Sequence, residues 1–272
     1  MLLEIRSEVG LGKRGGGPIA GFDALKLSEA VERLVVKGLS RKYYRVARGG
    51  RWYGGIATAD CCGCNLRCVF CWSGAPRDHP DKIGKFYTPE QVYQAVKGCA
   101  LKRGYRQIRI SGNEPTIGRD HLLRVLELVE SDGLFTFILE TNGILIGSDK
   151  SYARGLSKFT CVHVRVSIKG TSEEEFSLLT GAVPEQFNLQ LQALKNLLDY
   201  GVSCHPAVML SFSDREGYER VAHRLAEIDT KLARDIEEEY VFMYPHVVER
   251  LKRSGISPKI AYEPNRIPEE LI

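Results

Sequence analysis

The stretch "CNLRCVFCW" places Cys64, Cys68 and Cys71 within eight residues, with three and then two residues between them. Soft thiolates select zinc, Cu(I) or iron–sulfur clusters. A closed zinc site takes four ligands, often as two Cys-x-x-Cys arms. No second arm follows here, so Cys61, Cys62 or His79 would have to complete it. A cubane cluster that only carries electrons also takes four ligands. Three thiolates leave one iron with an open position where a cofactor or substrate can bind, as at catalytic zinc. The missing fourth cysteine therefore points to a cluster built for chemistry.

Three more segments carry candidate groups. "ISGNEPT" (110–116) holds Gly112, Asn113 and Glu114. Glycine permits close backbone approach, and Glu114 can accept from an ammonium or hold local structure. The plainer reading is a tight turn, for which Gly, Asn and Pro suffice. "LETNG" offers Thr141 and Asn142 as hydrogen-bonding groups, and "VSIKG" offers Ser167 and Lys169. A lysine is a flexible point charge suited to a carboxylate. Asn142-Gly143 also reads as a simple turn, and Lys169 as a solvated strand end.

These residues need a scaffold that gathers them. Short runs rich in β-branched and aromatic residues predict strands at 54–60, 107–111, 135–140, 161–168, 203–210 and 239–244. Amphipathic helical patterns lie between them, including "TPEQVYQAVKGCALKRG" with Thr88 as N-cap and Pro89 at the first helical position. Before them, "FDALKLSEAVERLVVKGL" predicts a helix ending near Gly38. Strands alternating with helices imply a parallel sheet with right-handed crossovers. Six units are too few for a complete eight-stranded barrel. The expected fold class is α/β, an open six-stranded partial barrel or a doubly wound sheet, with chemistry at the C-terminal strand ends.

"CNLRCVFC" resembles the Cys-x-x-x-Cys-x-aromatic-Cys signature of the radical S-adenosylmethionine (radical SAM) superfamily, and its position after the first strand strengthens the match. The resemblance implies a partial (β/α)6 barrel with an N-terminal helical extension. It implies a [4Fe–4S] cluster on Cys64, Cys68 and Cys71, whose open iron chelates the amino and carboxylate groups of S-adenosyl-L-methionine. It also implies cleavage to a 5′-deoxyadenosyl radical that abstracts hydrogen from substrate. Phe70 is then the aromatic expected near adenine. "ISGNEPT" resembles the family's Gly-Gly-Glu-Pro segment for the SAM amino group, departing from it at Asn113. "LETNG" and "VSIKG" resemble stretches of glycyl-radical activating enzymes that meet SAM's ribose and carboxylate. The resemblance covers roughly 54–244, implying a core domain between an N-terminal accessory segment (1–53) and a C-terminal extension (245–272). "SIKGTSEEEFSLLTG" and the compact length point to the pyruvate formate-lyase activating-enzyme group, and so to a glycyl-radical-type protein substrate. "CVFCW" also resembles the radical enzyme of wybutosine synthesis, which makes RNA or another macromolecule the alternative substrate. A non-catalytic iron–sulfur or zinc protein is the reading of another class. An electron donor such as flavodoxin or ferredoxin is the implied partner; a protein, RNA or small-molecule substrate stays open.

The 272 residues have ordinary globular composition, 43% hydrophobic and 26% charged, with a net charge of +4. No apolar run approaches the roughly 20 residues that cross a bilayer. The opening has acids at Glu4 and Glu8 and no apolar stretch typical of a secretory signal, which predicts a cytoplasmic protein without membrane partners. The glycine-rich "GLGKRGGGPIAG" is expected to be mobile. Eight cysteines in such a chain do not read as a disulfide framework, and Cys99, Cys161 and Cys204 read as small hydrophobes. His163 and His205 read as satisfied strand histidines. From Leu39 to Tyr53, Arg41, Lys42, Arg45, Arg48 and Arg51 interleave with Tyr43, Tyr44, Trp52 and Tyr53, with no acid. Such a patch could hold a phosphate backbone and stack bases; the plainer expectation is a solvated face. The tail "SPKIAYEPNRIPEELI" predicts extended or mobile chain.

Overall fold

The computed structural model describes residues 21–272. The expectations for the opening segment, a glycine-rich mobile stretch and no secretory signal, lie outside the described residues apart from Gly21. Six strands run parallel and in sequence order: β3 (Ile56–Cys61), β5 (Gln107–Ser111), β6 (Thr136–Thr141), β7 (Val162–Ile168), β8 (Cys204–Met209) and β9 (Glu237–Glu239). Helices connect them, as parallel pairing requires. The helix Pro89–Arg103 shows the expected start. Thr88 Oγ1 accepts from Gln91 N, Gln91 reciprocates, Pro89 opens the helix, and left-handed Gly104 closes it.

Three further strands extend this sheet on the β3 side. The helix Ala24–Val35 is capped by Asp23 and stops three residues short of the expected Gly38. The chain then forms a hairpin, β1 (Val36–Lys37) and β2 (Ser40–Gly50), with Gly38 at φ +54° in the turn. β2 pairs antiparallel with β3, and with β4 (Lys85–Tyr87). The basic and aromatic stretch is thus largely a sheet strand. Arg41 is 1% exposed and donates to the carbonyls of Ile117, Glu114 and Val35. Lys42 Nζ is tied to the carbonyls of Pro80 and Asp81. Tyr43 is buried against His121. The first part of the stretch is therefore not a solvated face: Arg41, Lys42 and Tyr43 are held inward by the partners just named, whereas Arg45 and Arg51 stay exposed.

The strand expected at 239–244 begins two residues earlier and breaks. Three consecutive glutamates form β9, and Tyr240 separates them from β10 (Val241–Phe242). Val241 N donates to buried Ser211 Oγ at 2.7 Å, and β10 pairs with β11 (Ala261–Tyr262) in a separate two-stranded ribbon. The tail is extended but tethered: Lys259 N donates to Ser211 O, and Tyr53 N donates to Ile272 O at 2.9 Å.

The sheet's outer face packs under a continuous apolar core that includes Leu122, Val125, Phe137, Val164, Leu194 and Val208. Its inner face is ionic. Arg109 reaches Thr58 Oγ1 at 2.9 Å and pairs with Glu140, which also accepts from Ser111 Oγ at 2.7 Å. Arg165 spans Glu237 at 2.6 Å and Glu239 at 2.8 Å. Buried charges persist only when paired and hydrogen-bonded, and these rungs satisfy that condition across neighbouring strands.

Candidate active site

The C-terminal strand ends open into one cavity of about 560 Å³, a size that suits a small-molecule cofactor. Cys64, Cys68, Cys71, Phe70, Gly112, Asn113, Glu114, Thr141, Asn142, Ser167 and Lys169 all line it. Residues from the ends of β5, β6 and β7 and from the cysteine loop after β3 therefore meet in one place.

The loop after β3 is laced to the loop after β5. Glu114 N donates to Gly63 O at 3.1 Å, and Gly63 N donates to Asn113 Oδ1 at 2.9 Å. Asn113 Nδ2 donates to Ser73 O at 3.1 Å, so one side chain grips both ends of the cysteine loop. This explains Asn at the position where the resemblance expects glycine. Gly112 sits at φ +95°, and a Cβ there would fall 2.9 Å from Asp60 Cβ; the close approach requires glycine.

Glu114 is 2% exposed, and its carboxylate is fully engaged. One oxygen accepts from Thr116 N, Thr116 Oγ1 and Thr141 Oγ1 at 3.1, 2.6 and 2.7 Å; the other accepts from Asn142 N at 2.8 Å. Asn142 Nδ2 donates to Asn65 Oδ1 at 2.7 Å, and its Oδ1 accepts from Ile144 N. Thr141 Oγ1 also accepts from Gly143 N. The side chains of Glu114 and Thr141, like most of Asn142, thus bind the scaffold. Lys169 Nζ contacts Ser167 Oγ, lies 3.4 Å from Glu239 and stands over the Phe70 ring at 5.9 Å. Burial alone would raise the Glu239 carboxyl, but Lys169 and Arg165 outweigh it and hold it below the usual range.

Burial pushes the free Cys64 thiol well up, with Glu114 adding to the effect; burial also raises Cys68 to about 11, against the pull of Lys169. Metal coordination supplies the charge that deprotonates such thiols. Among the described residues, no three His, Cys, Asp or Glu side chains converge as ligands of a single ion. Three thiolates on separate irons need no such convergence. Beside Cys64, Asn65 Nδ2 is buried without a protein partner, a donor suited to an acceptor brought by a bound group. The donor set therefore fits a cluster better than one zinc ion.

Residues outside the eleven candidates also line the cavity. Arg45 and Arg48 both pair with fully buried Asp60 at 2.7 Å. Trp72 is 41% exposed beside Arg48, whose guanidinium stands 5.9 Å from the ring. Tyr244 and His246 stack at 5.7 Å. The Arg/aromatic composition of 39–53 points to Arg45 and Arg48, and the position of Tyr244 and His246 at the end of the last expected strand marks them as near a substrate, whereas no local pattern gives Trp72 a place in the wall. His163 and His205 sit at the opposite strand ends, joined at 2.7 Å, with His205 Nε2 2.9 Å from Glu237.

Residues 60–225 match the Radical SAM superfamily model. The chain belongs to the radical SAM superfamily and is an enzyme of that class, which uses a [4Fe–4S] cluster and SAM. It is 31% identical over 141 residues to a probable GTP 3′,8-cyclase of Pyrobaculum aerophilum, covering 52% of this chain and 42% of that protein. With the GTP 3′,8-cyclase of Peptoclostridium acidaminophilum it shares 33% over 120 residues, covering 43% and 34%. The chain spans less than half the length of these curated relatives. Among solved structures, anSMEcpe with bound AdoMet and a Cp18Cys peptide matches at TM-score 0.51 and 23% identity, covering 66% of this chain and 48% of that one. A spore photoproduct lyase mutant with dinucleoside spore photoproduct matches at TM-score 0.51 and 12% identity, covering 97% and 80%. These two likenesses show the fold. No helix among the described residues is long and apolar enough to cross a membrane.

Proposed function

We propose that this radical SAM enzyme abstracts hydrogen from a substrate carrying an aromatic base and an anionic group, a nucleotide or a nucleic acid, rather than from a glycyl loop of a protein. The observation that carries this reading is the cavity mouth. There the exposed faces of Trp72 and Tyr244 lie with the Arg45 and Arg48 guanidinium groups, whose two charges meet one buried carboxylate, Asp60. Aromatic faces stack bases, and exposed guanidinium donors suit phosphate. The curated relatives named above as GTP 3′,8-cyclases support the same class.

A reduced cluster and SAM together supply one-electron cleavage of a sulfonium C–S bond, giving a carbon radical able to take a hydrogen atom. Cys64, Cys68 and Cys71 would hold the cluster. Lys169 and Ser167 would meet SAM's carboxylate and hydroxyls, and Phe70 its adenine. Glu114 acts through Thr141 and Asn142, fixing the wall beside Cys64. The ionic inner face below keeps the cavity floor rigid.

Trp72 provides the test. Tryptophan fluorescence of the anaerobic protein should be quenched by GTP or a single-stranded oligoribonucleotide, and the Trp72→Phe variant should lose the larger part of that quenching. Absence of any nucleotide effect, together with 5′-deoxyadenosine formation stimulated only by a glycine-bearing protein, contradicts the proposal.

A further inference from the structure

The cysteine loop carries more positive charge than its protein partners neutralise. Arg67 Nη1 donates to the carbonyl of Cys64 at 2.6 Å, Arg77 Nη1 to that of Cys68 at 2.6 Å, and Arg250 Nη1 to that of Cys71. Each of the three cysteines therefore has its own guanidinium. Among the described residues, the carboxylate that pairs with this set is Asp78, at 2.7 Å from Arg77 and 3.7 Å from Arg67. Three cations thus face one anion. Arg77 is 4% exposed, and the other two are half-buried. Crowded, desolvated like charges are costly unless an anion compensates them.

The place for Arg250 is built from both sides. It arrives on the helix Pro245–Ser254, 179 residues beyond Cys71. Opposite it stands Gly74, where a Cβ would fall 1.8 Å from Arg250 Nη2. Any other residue at 74 would displace the guanidinium.

We propose that Arg67, Arg77 and Arg250 form a cationic collar that fixes the carbonyls of the cysteine loop and, by its net charge, favours the reduced state of the cluster held there. Reduction adds one negative charge to an assembly already made anionic by three thiolates, and a nearby cation stabilises that change by Coulomb attraction. The three arginines are positioning residues: their donors reach backbone carbonyls, not the reacting atoms.

Arg250 is the informative member because it lies outside the loop. The full chain is reconstituted anaerobically as the parent, Arg250→Gln, Arg250→Lys and Gly74→Ala, with iron per chain measured for each. All are poised with redox mediators at the parent's midpoint, and the reduced fraction is read by electron paramagnetic resonance and visible absorption. Glutamine keeps a donor and loses the charge, so the ratio of reduced to oxidised cluster should fall about tenfold, the scale of one unit charge roughly 10 Å away in a partly screened site. Lysine keeps the charge and should stay within about threefold of the parent on the same scale. Gly74→Ala, which displaces the guanidinium, should move in the glutamine direction. A parental ratio in Arg250→Gln overturns the proposal, as does an equal shift in Gln and Lys. If the glutamine variant fails to retain iron, Gly74→Ala decides, and a parental ratio there overturns it.

Discussion

Replacing Glu114 by alanine should unfasten the wall of the cavity before it removes any direct contact with a ligand. The carboxylate accepts four hydrogen bonds at 2.6 to 3.1 Å, two of them from backbone N–H groups, in a position 2% exposed. Hydrogen bonds to charged groups contribute about 1.5–3 kcal/mol each, which bounds the loss at roughly 6–12 kcal/mol. The two threonine hydroxyls can rotate and water can enter, so we expect about 3–5 kcal/mol, a large part of a typical domain's stability. Glu114→Gln keeps the volume but turns an amide N–H2 toward a group that donated to the lost carboxylate oxygen, and should cost about 2–3 kcal/mol. Urea unfolding of the anaerobic apo-protein, followed by circular dichroism, measures both. Because Asn142 N bonds to Glu114 and Asn142 Nδ2 bonds to Asn65, SAM affinity should fall in the same order, with alanine weaker than glutamine. An alanine variant within 1 kcal/mol of the parent, by roughly the scatter of surface substitutions, would refute the clamp.

Three other outcomes follow from the same structure. Arg41→Ala removes donors to three carbonyls from a site 1% exposed and should destabilise the fold by about 3–5 kcal/mol in the same unfolding assay, whereas Arg51→Ala, at an exposed position, should leave it within about 0.5 kcal/mol. Burial lowers His121 to about 4, against the pull of its bond to Leu39 O. The unfolded chain then binds the extra proton between about pH 6.5 and 4, so stability falls as pH falls through that window by up to about 1.4 kcal/mol per unit; His121→Gln should flatten the pH profile of unfolding, and parallel profiles would contradict the assignment. Arg165→Met leaves Glu237 and Glu239 without their shared partner and should cost about 3–5 kcal/mol, read as a lower urea midpoint.

Much of the site was legible because its chemistry is written locally. The spacing of Cys64, Cys68 and Cys71 is a ligand pattern in itself, and the β/α alternation puts strand ends together, so eleven residues scattered from 64 to 169 meet in one cavity. The parallel order of six strands likewise followed from alternation. The rest depended on pairings that no local pattern carries. The strand expected at 239–244 begins instead at Glu237, where Arg165 on β7 and Lys169 in the following loop neutralise its glutamates. The stretch from Ser40 reads as a basic surface, yet Arg41 and Lys42 turn inward to cap carbonyls 76 and 38 residues away. Asn113 reads as a turn residue, and its grip on Gly63 and Ser73 appears only once the two loops meet.

The most direct test of the central claim is made on the anaerobically reconstituted full chain with SAM and dithionite. The parent should bind four irons and form 5′-deoxyadenosine and methionine in equal amounts. Variants with Ala at Cys64, Cys68 or Cys71 should form neither above background. A triple-alanine variant that still holds four irons and cleaves SAM at the parental rate would contradict the account.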